Sequence, residues 1–326
     1  MLWTYSNSCS TCHINWQLFY ALAKAESKNV TSLLERMESA QENLNYSGSF
    51  VYEHDGNMET IRIVHRANSN VFGERLYSLT GPEREIIRTK ESVWCYLPDQ
   101  KLGIHEYRQL SGNKFSGIRR DQYASIAQNY FFKLKDRERV AERSAQRLSV
   151  IPRDEFRYGY ELWIDEVTGL LLRSDLLDMS GEIIERYMFA EIEIGGQIQD
   201  SELTPRYPKE DFVWYGLGNQ NKETGKTNKI HWRAGKLPEG FQKSASLIRI
   251  SPMDNLEMEH LVFSDGMASV SMFIKPTSSN DLPIGAIRMG GISAFSINIG
   301  DYVITALGEV PMSSVKMIAM NATVLD

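Results

Sequence analysis

The feature that most constrains this chain is the run from Gly48 to Leu97, which reads as successive antiparallel strands. The expected strands are Gly48 to His54, Asn57 to Arg66, Phe72 to Leu79, Glu85 to Thr89 and Ser92 to Leu97, with breaks at Asp55-Gly56 and Gly81-Pro82. Aspartate followed by glycine between β-rich runs is a strong hairpin signal, because both central turn positions need positive φ. On the second strand Ile61, Ile63 and His65 fall on one face and Arg62 and Arg66 on the other. One face is therefore buried and the other wet. Such a sheet must cover its apolar face, with its own helices or with a guest.

The elements around this run extend the pattern. A first helix is expected from Ser32, where Ser32 and Glu35 have the spacing of a capping box and Leu33, Leu34, Met37 and Leu44 form one stripe. Gly103 to Tyr107 reads as a further strand, followed by a polar loop with Gly112 and Gly117. A second, aromatic-faced helix is expected over Tyr123, Ile126, Ala127, Tyr130, Phe131 and Leu134, with Asp121 as its cap. That face suits either a plug for the open sheet or the lining of an apolar guest site. Strands resume at Val140 to Arg143, Arg147 to Ile151, Gly159 to Ile164, Leu170 to Leu177 and Glu185 to Ile192. Long meanders with glycine turns favour a curved antiparallel half-barrel, so the fold class is α+β.

From Thr204 to Lys229 proline, glycine and polar residues accumulate, which reads as a linker. The expected organisation is a leader over 1–25, a large domain over 26–204, a linker over 205–229 and a small, mainly β domain over 230–326. In the small domain, Asp265-Gly266 joins two strands in which Ala268, Val270, Met272 and Ile274 share a face. Gly300-Asp301 joins another pair, and Ser313 onward reads as a closing helix.

Composition narrows the function. The chain has 326 residues, 42% hydrophobic and 24% charged, which is ordinary globular composition long enough for two domains. A net charge of -6 argues against nucleic acid, which needs a cationic surplus. The local surplus between Arg119 and Arg157, ten basic against six acidic residues, suits a solvated mixed-charge surface better than an anion site. Ile14 to Ala23 and the small-residue pairs after it resemble a degraded secretion signal without its basic start. No later stretch approaches the roughly 18 apolar residues of a membrane span.

Chemistry-bearing motifs are absent from the sequence. Cys9 and Cys12 have redox or metal-pair spacing but no second pair, and Cys95 alternates with Trp94 and Tyr96 in a strand as a small hydrophobe. The six histidines stand in separate segments, with His54 and His65 alone brought near by a hairpin. There is no phosphate loop, no zinc-protease motif and no nucleophile elbow, so no cofactor, metal or catalytic residue can be named.

Several separated blocks carry a resemblance. Leu44-Asn-Tyr46-Ser-Gly48-Ser-Phe50-Val-Tyr52, Glu59-Thr-Ile61-Arg-Ile63-Val-His65-Arg66, Arg84-Glu85-Ile-Ile87-Arg88 and Cys95-Tyr-Leu-Pro98-Asp99 resemble the opening of the RseB/MucB family. Glu259 to Ser271 and Gly308-Glu-Val-Pro311 resemble its small domain. The likeness runs from about Leu33 to Ala319.

That resemblance implies a non-enzyme of the periplasm. Family members have a large domain like the lipoprotein carriers LolA and LolB, a half-barrel with helices in its concave face. They bind the periplasmic part of the anti-sigma factor RseA, shield it from the protease DegS, and are released by lipopolysaccharide. A lipid or lipoprotein carrier is the alternative, and the oligomeric state is open, a homo-oligomer included. By residue type, Trp94, Tyr96, Tyr130, Phe131, Tyr160 and Trp163 are the candidates for lining a lipid cavity. Arg288, Phe295 and Tyr302 are the candidates for the partner surface, because arginine and aromatic residues are enriched at hot spots.

Overall fold

The computed structural model describes residues 29–67, 72–107, 123–217, 231–251, 256–277 and 284–325. The expected leader, Cys9, Cys12, the loop glycines Gly112 and Gly117, and the Asp121 cap lie outside them.

Alternation in the first half builds β1 (Tyr46–His54), β2 (Asn57–Ala67), β3 (Phe72–Ser78), β4 (Glu85–Thr89), β5 (Ser92–Leu97) and β6 (Leu102–Tyr107). After α2 (Tyr123–Asn129) come β7 (Tyr130–Val140), β8 (Arg143–Pro152), β9 (Gly159–Asp165), β10 (Leu171–Leu177), β11 (Ile183–Ile194) and β12 (Val213–Leu217). These form one twelve-stranded open sheet in the order β12-β6-β5-β4-β3-β2-β1-β11-β10-β9-β8-β7. Each adjacent pair is antiparallel except β12 with β6. Register shifts in β1–β11, β10–β11, β9–β10 and β7–β8 are the bulges that bend so wide a sheet.

The helix α1 occupies 29–43 and lies in the concave face. Its Val30, Leu33, Leu34 and Met37 pack with Leu148, Leu162 and Ile164, and its Ala40 joins the cluster of Tyr46, Phe50 and Ile63. Ser32 sits inside α1, because the helix is already under way at residue 29, so Ser32 is not its cap.

Three expectations give way to the structure. The second helix stops at Asn129. Tyr130, Phe131 and Leu134 belong to β7, where Tyr130, Phe132 and Leu134 turn inward and Phe131, Lys133 and Lys135 outward. Three consecutive aromatic residues followed by strict alternation favour a pleated strand over a helix. The expected strand over Val140 to Arg143 is instead the β7–β8 turn, with Ala141 and Glu142 at φ 46° and 64°. Two left-handed residues without glycine or asparagine leave no turn signal in the sequence. Finally, residues 205–217 are not free linker: they run along the large sheet and end as its edge strand β12.

The small domain contains β13 (Trp232–Ala234), β14 (Gln242–Ile250), β15 (Glu257–Ser264), β16 (Ser269–Pro276), β17 (Gly285–Met289), β18 (Ile292–Ile299), β19 (Tyr302–Glu309), α3 (Met312–Met320) and β20 (Ala322–Val324). Six strands pair in the order β14-β15-β16-β19-β18-β17, and β13 pairs with β20. Ala268, Val270, Met272 and Ile274 are all buried in one core with Val315, Ile318 and Ala319 of α3.

Candidate functional site

Cross-strand register sorts the large sheet's side chains onto two faces. Gly48, Ile63, Leu76, Ile86, Cys95, Ile104 and Tyr215 are successive partners in one row from β1 to β12 on the concave face. Ile63 and Leu76 are buried in the cluster that includes Ala40, whereas Ile104, Val213 and Tyr215 are 38%, 63% and 45% exposed. Among the described residues the concave face thus has a half filled by helix and a half whose apolar floor is exposed.

A polar row borders this floor. Tyr46, His65, Glu74 and Arg88 are consecutive partners on the same face. His65 Nδ1 lies 3.0 Å from Glu74 Oε2, Arg88 donates to Glu74 Oε1 at 2.5 Å, and the Tyr46 ring stacks on the imidazole at 4.6 Å. Burial pushes the Glu74 carboxyl up, but the hydrogen bonds and charge of His65 and Arg88 outweigh it and hold it below its usual value. Nε2 of His65 and Nε of Arg88 are buried without a hydrogen-bond partner among the described residues.

The six aromatic candidates do not line one cavity. Trp94 and Tyr96 point to the convex face, where the 205–217 strap covers them. Trp94 is sandwiched between His105, with centroids 3.6 Å apart, and the Lys209 ammonium 3.4 Å from its ring, and Trp214 crosses both Trp94 and Tyr96 at 5.0 Å. Gly103 makes room for Trp214, whose ring occupies the place of its missing Cβ. Burial, with Glu85 and Glu210 nearby, pushes the Tyr96 phenol up to about 12. Trp163 shares a row with Arg147 and Arg173; the Arg173 guanidinium lies 3.9 Å over its ring and its Nε1 donates to Glu138 at 2.9 Å. Phe131 is half exposed under Arg153, 3.5 Å away. Only Tyr130 and Tyr160 of the six stand on the concave face, and both hydroxyls reach the small domain.

Those hydroxyls belong to a domain junction that sequence reasoning missed. Tyr130 donates to Asp265 at 3.3 Å and Tyr160 to Glu309 at 3.0 Å. Arg157, between β8 and β9, is fully buried and donates to Asp265 Oδ2 at 2.5 Å, to Asp154 and to the Glu239 carbonyl. At the other end the β17–β18 turn docks: Gly290 N–H donates to Asp55 and Gly291 N–H to Glu185, each at 2.6 Å. Glu185 also accepts from Tyr52 at 2.9 Å. The sequence signals here were turn signals, Asp55-Gly56 and Asp265-Gly266, which say nothing of what the aspartates touch.

The partner candidates share one face of the small sheet without forming a cluster. Arg288 is on the edge strand β17 with its Nε donating to Gly290 O at 3.1 Å, Phe295 packs on the core, and Tyr302 stands against Trp232 at 5.3 Å. On the opposite face Ile287, Met289 and Ile292 are 50%, 65% and 42% exposed. Among the described residues no group of His, Cys, Asp and Glu is placed to hold a metal ion, and no helix is long and apolar enough to cross a membrane.

Comparison with known proteins places this architecture. The MucB/RseB N-terminal domain matches residues 29–207 and the MucB/RseB C-terminal domain matches residues 226–323. The chain is 31% identical over 309 residues to the sigma-E factor regulatory protein RseB of Haemophilus influenzae, covering 93% of this chain and 94% of that protein. It is 30% identical over 311 residues to the sigma factor AlgU regulatory protein MucB of Pseudomonas aeruginosa, covering 92% and 93%. The crystal structure of MucB in complex with MucA(peri) superposes with a TM-score of 0.69 at 28% identity, over 90% of this chain and 98% of that one. The Pseudomonas aeruginosa MucA/MucB complex gives 0.71 at 27% identity over 91% and 99%, and the crystal structure of MucB gives 0.62 at 27% identity over 90% and 98%. Matched in order through both domains, the chain belongs to the MucB/RseB family.

Proposed function

We propose that this protein is a periplasmic regulator of a sigma-E-type stress response and not an enzyme. It acts by binding the periplasmic domain of a membrane-spanning anti-sigma factor of the RseA/MucA kind. The observation that carries this reading is the match through both domains to MucB, whose solved complexes hold MucA. Arg288 on the edge strand, Phe295 and Tyr302 are separate candidate partner contacts on one face of the small sheet.

Bound to the anti-sigma factor, the protein shields it from DegS. A lipid such as lipopolysaccharide that prefers the free form weakens the complex by its differential affinity for the two forms. The open floor at Ile104, Val213 and Tyr215 supports a lipidic ligand, and it also favours the second reading, a lipid or lipoprotein carrier. Of the aromatic candidates, Tyr130 and Tyr160 are those on the concave side. Incubating the anti-sigma periplasmic domain with DegS tests the regulator: added protein slows cleavage, and cleavage at an unchanged rate would count against it. Lipid extracted from the purified protein, together with unchanged cleavage, would favour the carrier.

A further inference from the structure

We infer that the domain junction is a clamp with a permanent end at Arg157–Asp265 and a releasable end at the Gly290-Gly291 turn, and that opening the releasable end weakens anti-sigma binding. The second half rests on the functional reading above; the first stands on geometry alone.

The permanent end is dry and saturated. Arg157 and Asp265 are both unexposed, and Phe241 and Tyr130 flank the guanidinium at 5.1 and 5.9 Å. Asp265 uses its other oxygen to accept the N–H groups of Met267 at 2.9 Å and Ala268 at 2.7 Å, so the carboxylate that shapes the β15–β16 turn also grips the large domain. Beside it, Ser313 and Ser314 of α3 donate to the carbonyls of Glu155 and Phe156 at 2.8 and 2.6 Å. Separating these surfaces strands a buried ion pair, which is strongly disfavoured.

The releasable end is built differently. Two glycine amides dock on two carboxylates, and the Asp55 side chain is 49% exposed, so on undocking both partners rehydrate at small net cost. The seat is narrow because three side chains crowd it: a Cβ on Gly291 would come within 2.6 Å of the buried Leu176 Cδ2, 3.0 Å of Glu185 Oε1 and 3.2 Å of Glu309 Cγ. Glu309 of the small domain faces Glu185 of the large one, and two like charges at a junction push it apart. An open cleft lined by Glu53, His54, Asp55, Gly56, Ile183 and Ile184 lies beside the docked turn, so water already reaches this end. Pivoting about Arg157 therefore breaks the wet end and keeps the dry one. The whole chain superposes with TM-scores of 0.69 and 0.71 on the two MucB structures that hold MucA and 0.62 on the crystal structure of MucB, and the closed form is the one we take to hold the partner.

Spin-label distances on the full chain, with Cys9, Cys12 and Cys95 replaced by serine, test this. One labelled pair, at positions 58 and 287, reports the releasable end; another, at 155 and 316, reports the permanent end. Gly291→Ala is expected to lengthen and broaden the first distance and leave the second unchanged, while Glu309→Gln narrows the first. In parallel, Gly291→Ala weakens binding of the anti-sigma periplasmic domain by about tenfold. Should Gly291→Ala not fold, Asp55→Gly, which keeps the positive φ of that position and removes the acceptor of Gly290, carries the same expectation. Both distances moving together, or neither moving, overturns the clamp. Distances that shift while affinity does not overturn the regulatory half. If the unaltered protein binds no anti-sigma domain, the functional reading fails and the distances still decide the clamp.

Discussion

Arg157 and Asp265 stand 108 residues apart in sequence and meet across the domain junction at 2.5 Å, with neither side chain exposed to solvent. A buried pair of this kind is costly to break by halves, because the survivor is left as an uncompensated charge. Asp265→Ala is expected to lower stability by about 3–5 kcal/mol in chemical denaturation. A loss below about 1 kcal/mol, the range of exposed pairs, would show that the junction is wet in solution.

Glu309 gives the junction a pH dependence. Burial, reinforced by the neighbouring Glu185 carboxylate, pushes the Glu309 carboxyl above its usual 4.5, with the Tyr160 hydrogen bond opposing the shift. A raised folded-state value means that the fold holds this proton more tightly than the unfolded chain does. Its contribution is fully present below the unfolded value and is lost as pH rises through the folded one. Glu309→Gln should therefore melt higher than the parent at about pH 7, with the gap closing toward about pH 4. A variant less stable than the parent at neutral pH would contradict this.

The strap over the convex face depends on Gly103. Because Trp214 lies where a Cβ would stand, Gly103→Ala must displace the Trp214 ring and with it the stack on Trp94 and Tyr96. Overpacking of this kind costs about 1–3 kcal/mol. The expected signature is a shifted tryptophan emission with increased quenching by iodide. Unchanged emission would mean that the strap does not rest on β6.

Lipid binding, if it uses the concave face, should follow the open floor and not the convex aromatics. Ile104→Asp or Tyr215→Asp should weaken binding of a fluorescent acyl probe by about tenfold or more, since a charge on an apolar contact surface must be desolvated. Phe131→Ala, on the convex face, should leave it unchanged. The reverse ranking would relocate the ligand.

The sequence made the sheet legible because its signals are local. The Asp55-Gly56 hairpin, the burial of Ile61, Ile63 and His65, and the shared face of Val270, Met272 and Ile274 all follow from turn chemistry and period-two alternation. Tyr130 was misread because three- and four-residue spacing also occurs where aromatics merely cluster at the start of a strand. Trp94 and Tyr96 are legible as strand residues, but which face they take depends on register counted across the five strands from β1 to β5. Arg157, Asp265 and the Gly290-Gly291 turn leave no trace as a site, since the contacts they make across the junction are to partners more than 80 residues away.

Binding to an anti-sigma factor is open to direct calorimetric titration. The chain from residue 26 onward, titrated into the periplasmic domain of the anti-sigma factor from the same organism, should give saturable heat and a defined stoichiometry, and added lipopolysaccharide should weaken the binding. No saturable heat with or without the lipid would contradict the account.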